Sequence, residues 1–170
     1  MKKIILSLVM AIAVVGSALA GGEKITGDFS VLKGQQVNVV YDYSQIDIAG
    51  KWNDATYPEK NPEWESIKVE AYDNSVQNIL MEIPKSGMTV GKFPDAPYTL
   101  RFVIHRVKSE GRTFADVILT DKDGKELGSI TGFDEKGGGG MNGYMPFSVN
   151  YKRGIGKVAH RLSSLLKKFF

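Results

Sequence analysis

Cysteine is absent from the 170 residues. The chain therefore has no disulfide, no thiolate metal site, no thiol nucleophile and no sulfur for lipid attachment, and its stability must come from a packed core. Histidine is scarce as well. His105 and His160 are the only two, and neither has a second histidine at metal-ligand spacing, which argues against a histidine-built metal centre. No internal repeat is evident, and the one low-complexity stretch is Gly137 to Gly140. No apolar run reaches the ~20 residues that a membrane-spanning helix needs.

What is present begins with Lys2 and Lys3, an apolar stretch from Ile4 to Val15 broken only by Ser7, and then Ala18-Leu19-Ala20. A basic start, an apolar middle and small residues before the cut make a secretory signal peptide ending near Ala20. A membrane anchor fits less well, because no basic stop-transfer residues follow. A single domain over residues 21–170, periplasmic or secreted, is expected. Lys2 and Lys3 leave with the leader, so 22 basic residues become 20 against 19 acidic ones and the net charge falls from +3 to +1. Nucleic-acid binders usually show a strongly basic domain or stripe, so none is expected here as a partner.

Gln36 to Tyr43 alternates Val37, Val39, Tyr41 and Tyr43 against Asn38, Val40 and Asp42, the period of a strand with one apolar face. Ser44 to Trp52 reads as a second short strand or an edge extension. Trp64, Ile67, Ala71, Val76, Ile79, Leu80 and Ile83 then recur at near-helical spacing behind Asn61, Pro62 and Glu63, which predicts a helix over 62–83. Met88 to Pro97 reads as a loop. Tyr98 to Val107, Phe114 to Asp121 and Glu126 to Thr131, joined by turns at Gly111 and Asp123-Gly124, predict an antiparallel meander. Ile155, Val158, Ala159, Leu162, Leu165, Leu166 and Phe169 give the last segment a helical apolar stripe. The expected fold is α+β in two layers: a mainly antiparallel, mixed sheet of four to five strands with two helices on one face.

Behind the leader, Gly27-Asp28, Leu32-Lys33-Gly34-Gln35, Val37-Asn38-Val39 and Asp42-Tyr43-Ser44 form a pattern. It resembles that of small exported Bacteroidetes-type proteins of unknown function. The Ala96-Tyr98-Leu100 strand, the Asp123-Gly124 hairpin, the glycine-rich loop and the basic terminal helix agree with it. More remotely, the layout is similar to envelope accessory domains of the curli-secretion and penicillin-binding-protein activator type. That resemblance implies helices on a mixed sheet and protein binding without catalysis.

Each constellation that invites a chemical role also has a plain explanation. His105 can act as a general base only if folding brings it a carboxylate; otherwise it is a sheet-surface histidine. Asp121, Asp123 and Glu126 make a hairpin turn, too short for the twelve-residue calcium loop. The Gly137–Gly140 run lacks the Lys-Ser/Thr pair of a phosphate loop and reads as a flexible connection. Asp42 and Ser44 lack a hydrolase elbow and are expected to bond local backbone. From Tyr151 onward there are six basic residues and no acid, leaving 14 basic against 19 acidic in the rest of the mature chain.

The leading expectation is an exported, non-catalytic binding or accessory module of the cell envelope, without cofactor or metal. Lys157, Arg161, Lys167, Lys168, Gly138 and Gly139 are its candidate contacts with an envelope protein or other envelope component. One alternative is a hydrolase using carboxylates and His105. The other is a peripheral membrane contact through the basic terminal helix.

Overall fold

The computed structural model describes residues 17–18, 22–138 and 145–170; Gly139 and most of the expected leader lie outside the described residues. In chain order the elements are β1 (Ser17–Ala18), β2 (Lys24–Gly27), β3 (Gln36–Asp42), β4 (Asp47–Ile48), α1 (Tyr57–Lys60), α2 (Trp64–Glu82), β5 (Thr89–Gly91), β6 (Tyr98–Val107), β7 (Thr113–Asp121), β8 (Glu126–Glu135) and α3 (Phe147–Leu166). The architecture is α+β, with one mixed sheet and α2 and α3 packed over it.

Period-two alternation fixes which side of the sheet is covered. Leu100, Phe102 and Ile104 of β6 are buried, and they lie in register with Leu119, Val117 and Ala115 of β7. Arg101 and Val103 pair with Ile118 and Asp116 on the other side, which no helix covers. Strands β6, β7 and β8 form the expected antiparallel meander. On one side of the meander β2 adds antiparallel to β8; on the other, β3 adds parallel to β6 and β5 parallel to β3. The two-residue β4 also runs along β6.

The expected count of four to five strands is too low. The strands it omits are short: β2 offers only Ile25 as a buried apolar residue, and β5 is three residues long, inside the stretch expected to be a loop. Such segments are too brief to show a period. The brief α1 is a third helix, one turn long, beyond the two expected.

Helix α2 starts at Trp64, two residues later than expected, although Asn61 does cap the turn that leads in: its Oδ1 accepts the Glu63 N–H at 3.2 Å. Trp64, Ile67, Ala71, Ser75 and Ile79 form its buried face. Helix α3 starts earlier than its apolar stripe suggests. Its first two turns add Asn150, Tyr151 and Gly154 to the buried set, and the stripe from Ile155 to Leu166 lies wholly in the core. Between the helices and β3 sits an aromatic cluster around Trp64, whose indole N–H donates to Asp54 Oδ1 at 2.7 Å.

Several local expectations hold at the atomic level. Asp42 Oδ1 accepts the Ser44 N–H at 2.9 Å and bends the chain out of β3. Asp121 Oδ1 accepts the N–H groups of Asp123 and Lys125, at 3.0 and 2.9 Å, and closes the β7–β8 hairpin.

The start of the domain is bolted to its end. Glu23 is only 2% exposed, and its carboxylate takes a two-point bond from Arg161, Nε at 2.6 Å and Nη2 at 3.0 Å. Those bonds hold its carboxyl below the usual carboxylate range despite its burial. A group with a lowered folded value stabilises fully above the unfolded value near 4.5, and that contribution disappears as pH falls through the lower folded value. Glu135 works in the opposite sense, since burial first and Glu23 second raise its carboxyl. Denaturant midpoints measured from pH 6 down to pH 3 are therefore expected to fall, and Glu23→Gln should flatten that fall. An unchanged slope in the variant would remove Glu23 from the explanation.

Candidate functional site

A concavity of about 640 Å³ lies where α2, α3 and the segment after β8 meet. Asn74 and Asn78 come from α2, Lys136, Gly137 and Gly138 from the segment, and Arg153, Gly156, Lys157 and His160 from α3. The helical spacing of Arg153, Gly156, Lys157 and His160 puts all four on one face of α3. Gly156 forms part of the wall. Lacking a side chain, it lets the Asn74 and Asn78 carboxamides approach α3, where they reach Lys152 and Gly156 carbonyls at 3.5 and 3.4 Å.

Charge in this basin is of one sign. No lining residue carries a carboxylate, a hydroxyl or a thiol. Among the described residues, Lys136, Arg153 and Lys157 have no carboxylate within ion-pair distance, whereas His160 meets Glu82 at 3.2 Å. Glu135 lies near enough to feel the Lys157 charge without forming an ion pair, and ammonium and guanidinium groups left without a direct carboxylate contact around a shared hollow, with carboxamide donors at its edge, can hold an anion. The one imidazole in the lining, His160, is held by Glu82.

The residues singled out in the sequence separate in space. Lys157 and Gly138 line the basin. Arg161 is engaged with Glu23, and Lys167 Nζ binds Glu82 Oε2 at 2.6 Å. Lys168 is exposed at the chain end, and Gly139 lies outside the described residues. Lys136, Arg153, Asn74 and Asn78 were missed. Only the excess of basic residues after Tyr151 pointed toward one of them, Arg153.

Gly137 and Gly138 have a packing role. With Gly111 and Gly154 they surround Asn150, and a Cβ on any of the four would run into backbone or side-chain atoms of Asn150, Gly111 or Thr113. The Gly138 N–H is already donated to the Glu110 carbonyl at 3.1 Å. These glycines allow the β6–β7 turn, the segment after β8 and the first half of α3 to touch.

His105 does acquire a carboxylate. Its Nε2 lies 2.8 Å from Asp116 Oδ2, and Asp116 Oδ1 accepts the Gly132 N–H at 2.8 Å. Two bulges make this contact. The β6–β7 register slips between Ile104 and Arg106, leaving His105 as the extra residue, and the β7–β8 register slips around Asp116. Gly132, opposite that second slip, has φ of +85°, a conformation glycine takes readily. The pair stands on the uncovered face of the sheet, with His105 42% exposed. It is outside the basin and outside three smaller grooves of about 400 to 490 Å³.

Among the described residues no helix is long and apolar enough to cross a membrane. No protein-family model and no curated protein matches the sequence. Among solved structures, the chain is similar to the PelC dodecamer from Paraburkholderia phytofirmans, with 16% identity and a TM-score of 0.43 over 83% of this chain and 96% of that one. An uncharacterized protein shares 11% identity at a TM-score of 0.44, covering 79% and 94%. A Xanthomonas campestris protein of the DUF330 family shares 12% at 0.35, covering 79% and 84%.

Proposed function

We propose that the mature chain is an exported, non-catalytic accessory module of the cell envelope that captures an anionic envelope component in the basin between α2 and α3. The observation that carries this is the convergence of Lys136, Arg153 and Lys157 on one concavity without a carboxylate partner among the described residues. A basic side chain on a solvated surface is ordinary; three from two separate segments around one hollow, with Asn74 and Asn78 beside them, form a recognition surface for repeated negative charge. Support for export comes from Lys2, Lys3, the Ile4–Val15 run and Ala18-Leu19-Ala20. Cutting after Ala20 removes β1 and leaves β2 held by β8 and by the Glu23–Arg161 bond.

Two observations weigh against the other readings. The apolar stripe of α3 packs on the sheet, so a membrane would meet only its basic side. The His105–Asp116 pair lines none of the four concavities described above.

Poly-L-glutamate and a polyuronate serve as probes. Both are expected to bind in titration calorimetry at low salt and to weaken as salt rises, since surface charge contacts are screened over ~10 Å at 0.1 M. Combining Arg153→Glu with Lys157→Glu should weaken binding by about 100-fold, roughly tenfold for each reversed charge. Lys51→Glu, away from the basin, should leave it unchanged. Equal affinity in the basin variant and the parent would sink this reading.

A further inference from the structure

We infer that the outer edge of β3 is a docking site for an extended, acid-bearing segment of a partner protein, which adds to the sheet as a strand beneath α2. The site is separate from the basin and does not depend on it.

The edge is open because β5 is short. The β3–β5 register ends at Asn38 opposite Gly91, while β3 continues through Asp42 with β6 on its inner side only. Beyond Asn38 the outer side of β3 meets a groove of about 490 Å³ instead of a strand. Its floor is Val39, Val40, Tyr41 and Tyr43, and α2 overhangs it with Glu65, Lys68, Val69 and Tyr72, the Glu65 carboxylate being tied to Lys68 at 2.8 Å. Four residues at ~3.3 Å each give an edge about 13 Å long, enough for a short strand. Exposed strand edges present unpaired backbone groups, and an incoming extended chain satisfies them.

Three features define the occupant. First, Val40 is 39% and Val69 50% exposed, so apolar side chains border the edge on both sides. Second, the hydroxyls of Tyr41 and Tyr72 are buried, and whereas Ser75 stands beside the Tyr41 hydroxyl, that of Tyr72 has no hydrogen-bond partner among the described residues. Both are fixed by ring contacts, Tyr41 stacked on Phe102 at 4.7 Å and edge-on to Tyr72 at 5.8 Å. Burial also pushes the Tyr72 phenol up to about 12, so it stays an O–H donor in need of an acceptor. Third, the Lys92 ammonium sits 4.8 Å from the Tyr72 ring and has no carboxylate within ion-pair distance among the described residues. An orphan donor and a free cation beside an open strand edge fit a carboxylate carried on an extended backbone.

A second copy of the chain cut after Ala20 fits less well, because its sheet edge would then be β2, which carries Lys24 and would place like charges together.

A synthetic nonapeptide alternating threonine and valine, with aspartate at its centre, is the probe, read by fluorescence anisotropy against the full mature chain. Saturable binding is expected. N-methylation at two alternate amides, which keeps every side chain but removes backbone donors, should weaken it about tenfold. Lysine in place of the aspartate should do the same, and Lys92→Glu, on an exposed residue that the fold does not need, should reverse that preference. The proposal is overturned if the N-methylated peptide binds as well as its parent, if the acidic peptide fails to bind at millimolar concentration, or if Lys92→Glu leaves the preference intact. Self-association of the chain that Lys92→Glu abolishes would equally overturn it, in favour of a second copy.

Discussion

Trp64→Ala is expected to lower the stability of the domain by about 3–5 kcal/mol, the range for emptying a large aromatic site in a core. Against a typical total of ~5–15 kcal/mol, that leaves a substantial part of the population unfolded under mild denaturant. Trp64 is fully buried and sits between Tyr57, at 5.2 Å and perpendicular, and Tyr151, at 5.2 Å and tilted, with Tyr43 edge-on at 6.0 Å. Truncation leaves a void bordered by rings that cannot collapse into it, because Tyr43 and Tyr151 are themselves joined hydroxyl to hydroxyl at 2.9 Å. Asp54 would also lose the indole donor and keep only Lys68, at 2.9 Å. Trp64→Phe separates the two contributions. It retains most of the ring and removes the N–H, and should cost about 1 kcal/mol. Urea titration followed by circular dichroism measures both, and the absence of cysteine removes disulfide chemistry as a complication. A loss below 1 kcal/mol for Trp64→Ala would contradict the packing described for this cluster.

The second large effect concerns a sign. In an exposed helix, exchanging glycine for alanine stabilises by about 1 kcal/mol, because glycine gives up more backbone freedom on folding. Gly154 lies inside α3, yet Gly154→Ala is expected to destabilise by roughly 2–4 kcal/mol, in the range of overpacking penalties. The added methyl would collide with the Gly111 carbonyl and with the Thr113 hydroxyl, which itself donates to that carbonyl at 3.1 Å. Both belong to the tight β6–β7 turn, where Gly111 has φ of +77° and can yield little. Gly156, two residues on, is the internal control. A methyl there meets only the carboxamide nitrogens of Asn74 and Asn78, each at 3.0 Å and each at the end of a side chain that can swing aside. Gly156→Ala is therefore expected to stay within about 1 kcal/mol of the parent. Thermal melts that rank the two substitutions the other way would show that α3 does not rest on the turn as described.

The same two glycines show where local pattern stops being informative. The apolar stripe from Ile155 onward announces a helix, but its first two turns carry Asn150, Lys152, Arg153 and Gly154, which continue no apolar stripe. They are helical because Gly154 and Gly156 allow close approach to the β6–β7 turn and to α2, a reason that exists only after folding. The meander was legible because β6 and β7 are long enough to alternate and Gly111 and Asp123-Gly124 mark the two turns. Strand β2 was not, since Lys24 to Gly27 contains one buried apolar residue and its pairing with β8 is a long-range event. The parallel placement of β3 beside β6 likewise leaves no local mark, as side-chain alternation does not specify a neighbour's direction.

The candidate contacts divide in the same way. Lys157 was recognisable from the excess of basic residues near the end of the chain, but that excess also drew attention to Arg161 and Lys167, which fold against Glu23 and Glu82. Which cations remain uncompensated depends on acids that sit far away in the sequence. Asp116 is the opposite case. Counting back from the turn at Gly111 puts His105 near residues 114 to 116 of the next strand, and alternation assigns Asp116 and His105 to the same face. Only the bulge at His105, which sequence does not announce, fixes the pair at 2.8 Å.

The bond between Glu23 and Arg161 spans 138 positions, and the Thr26–Ser129 hydroxyl contact 103. A polypeptide made from its N-terminus can form the second only after Ser129 and the first only after Arg161, so the final architecture is withheld until the last helix arrives. On the export route proposed above, such a delay keeps the nascent chain pliable while it threads a translocation pore.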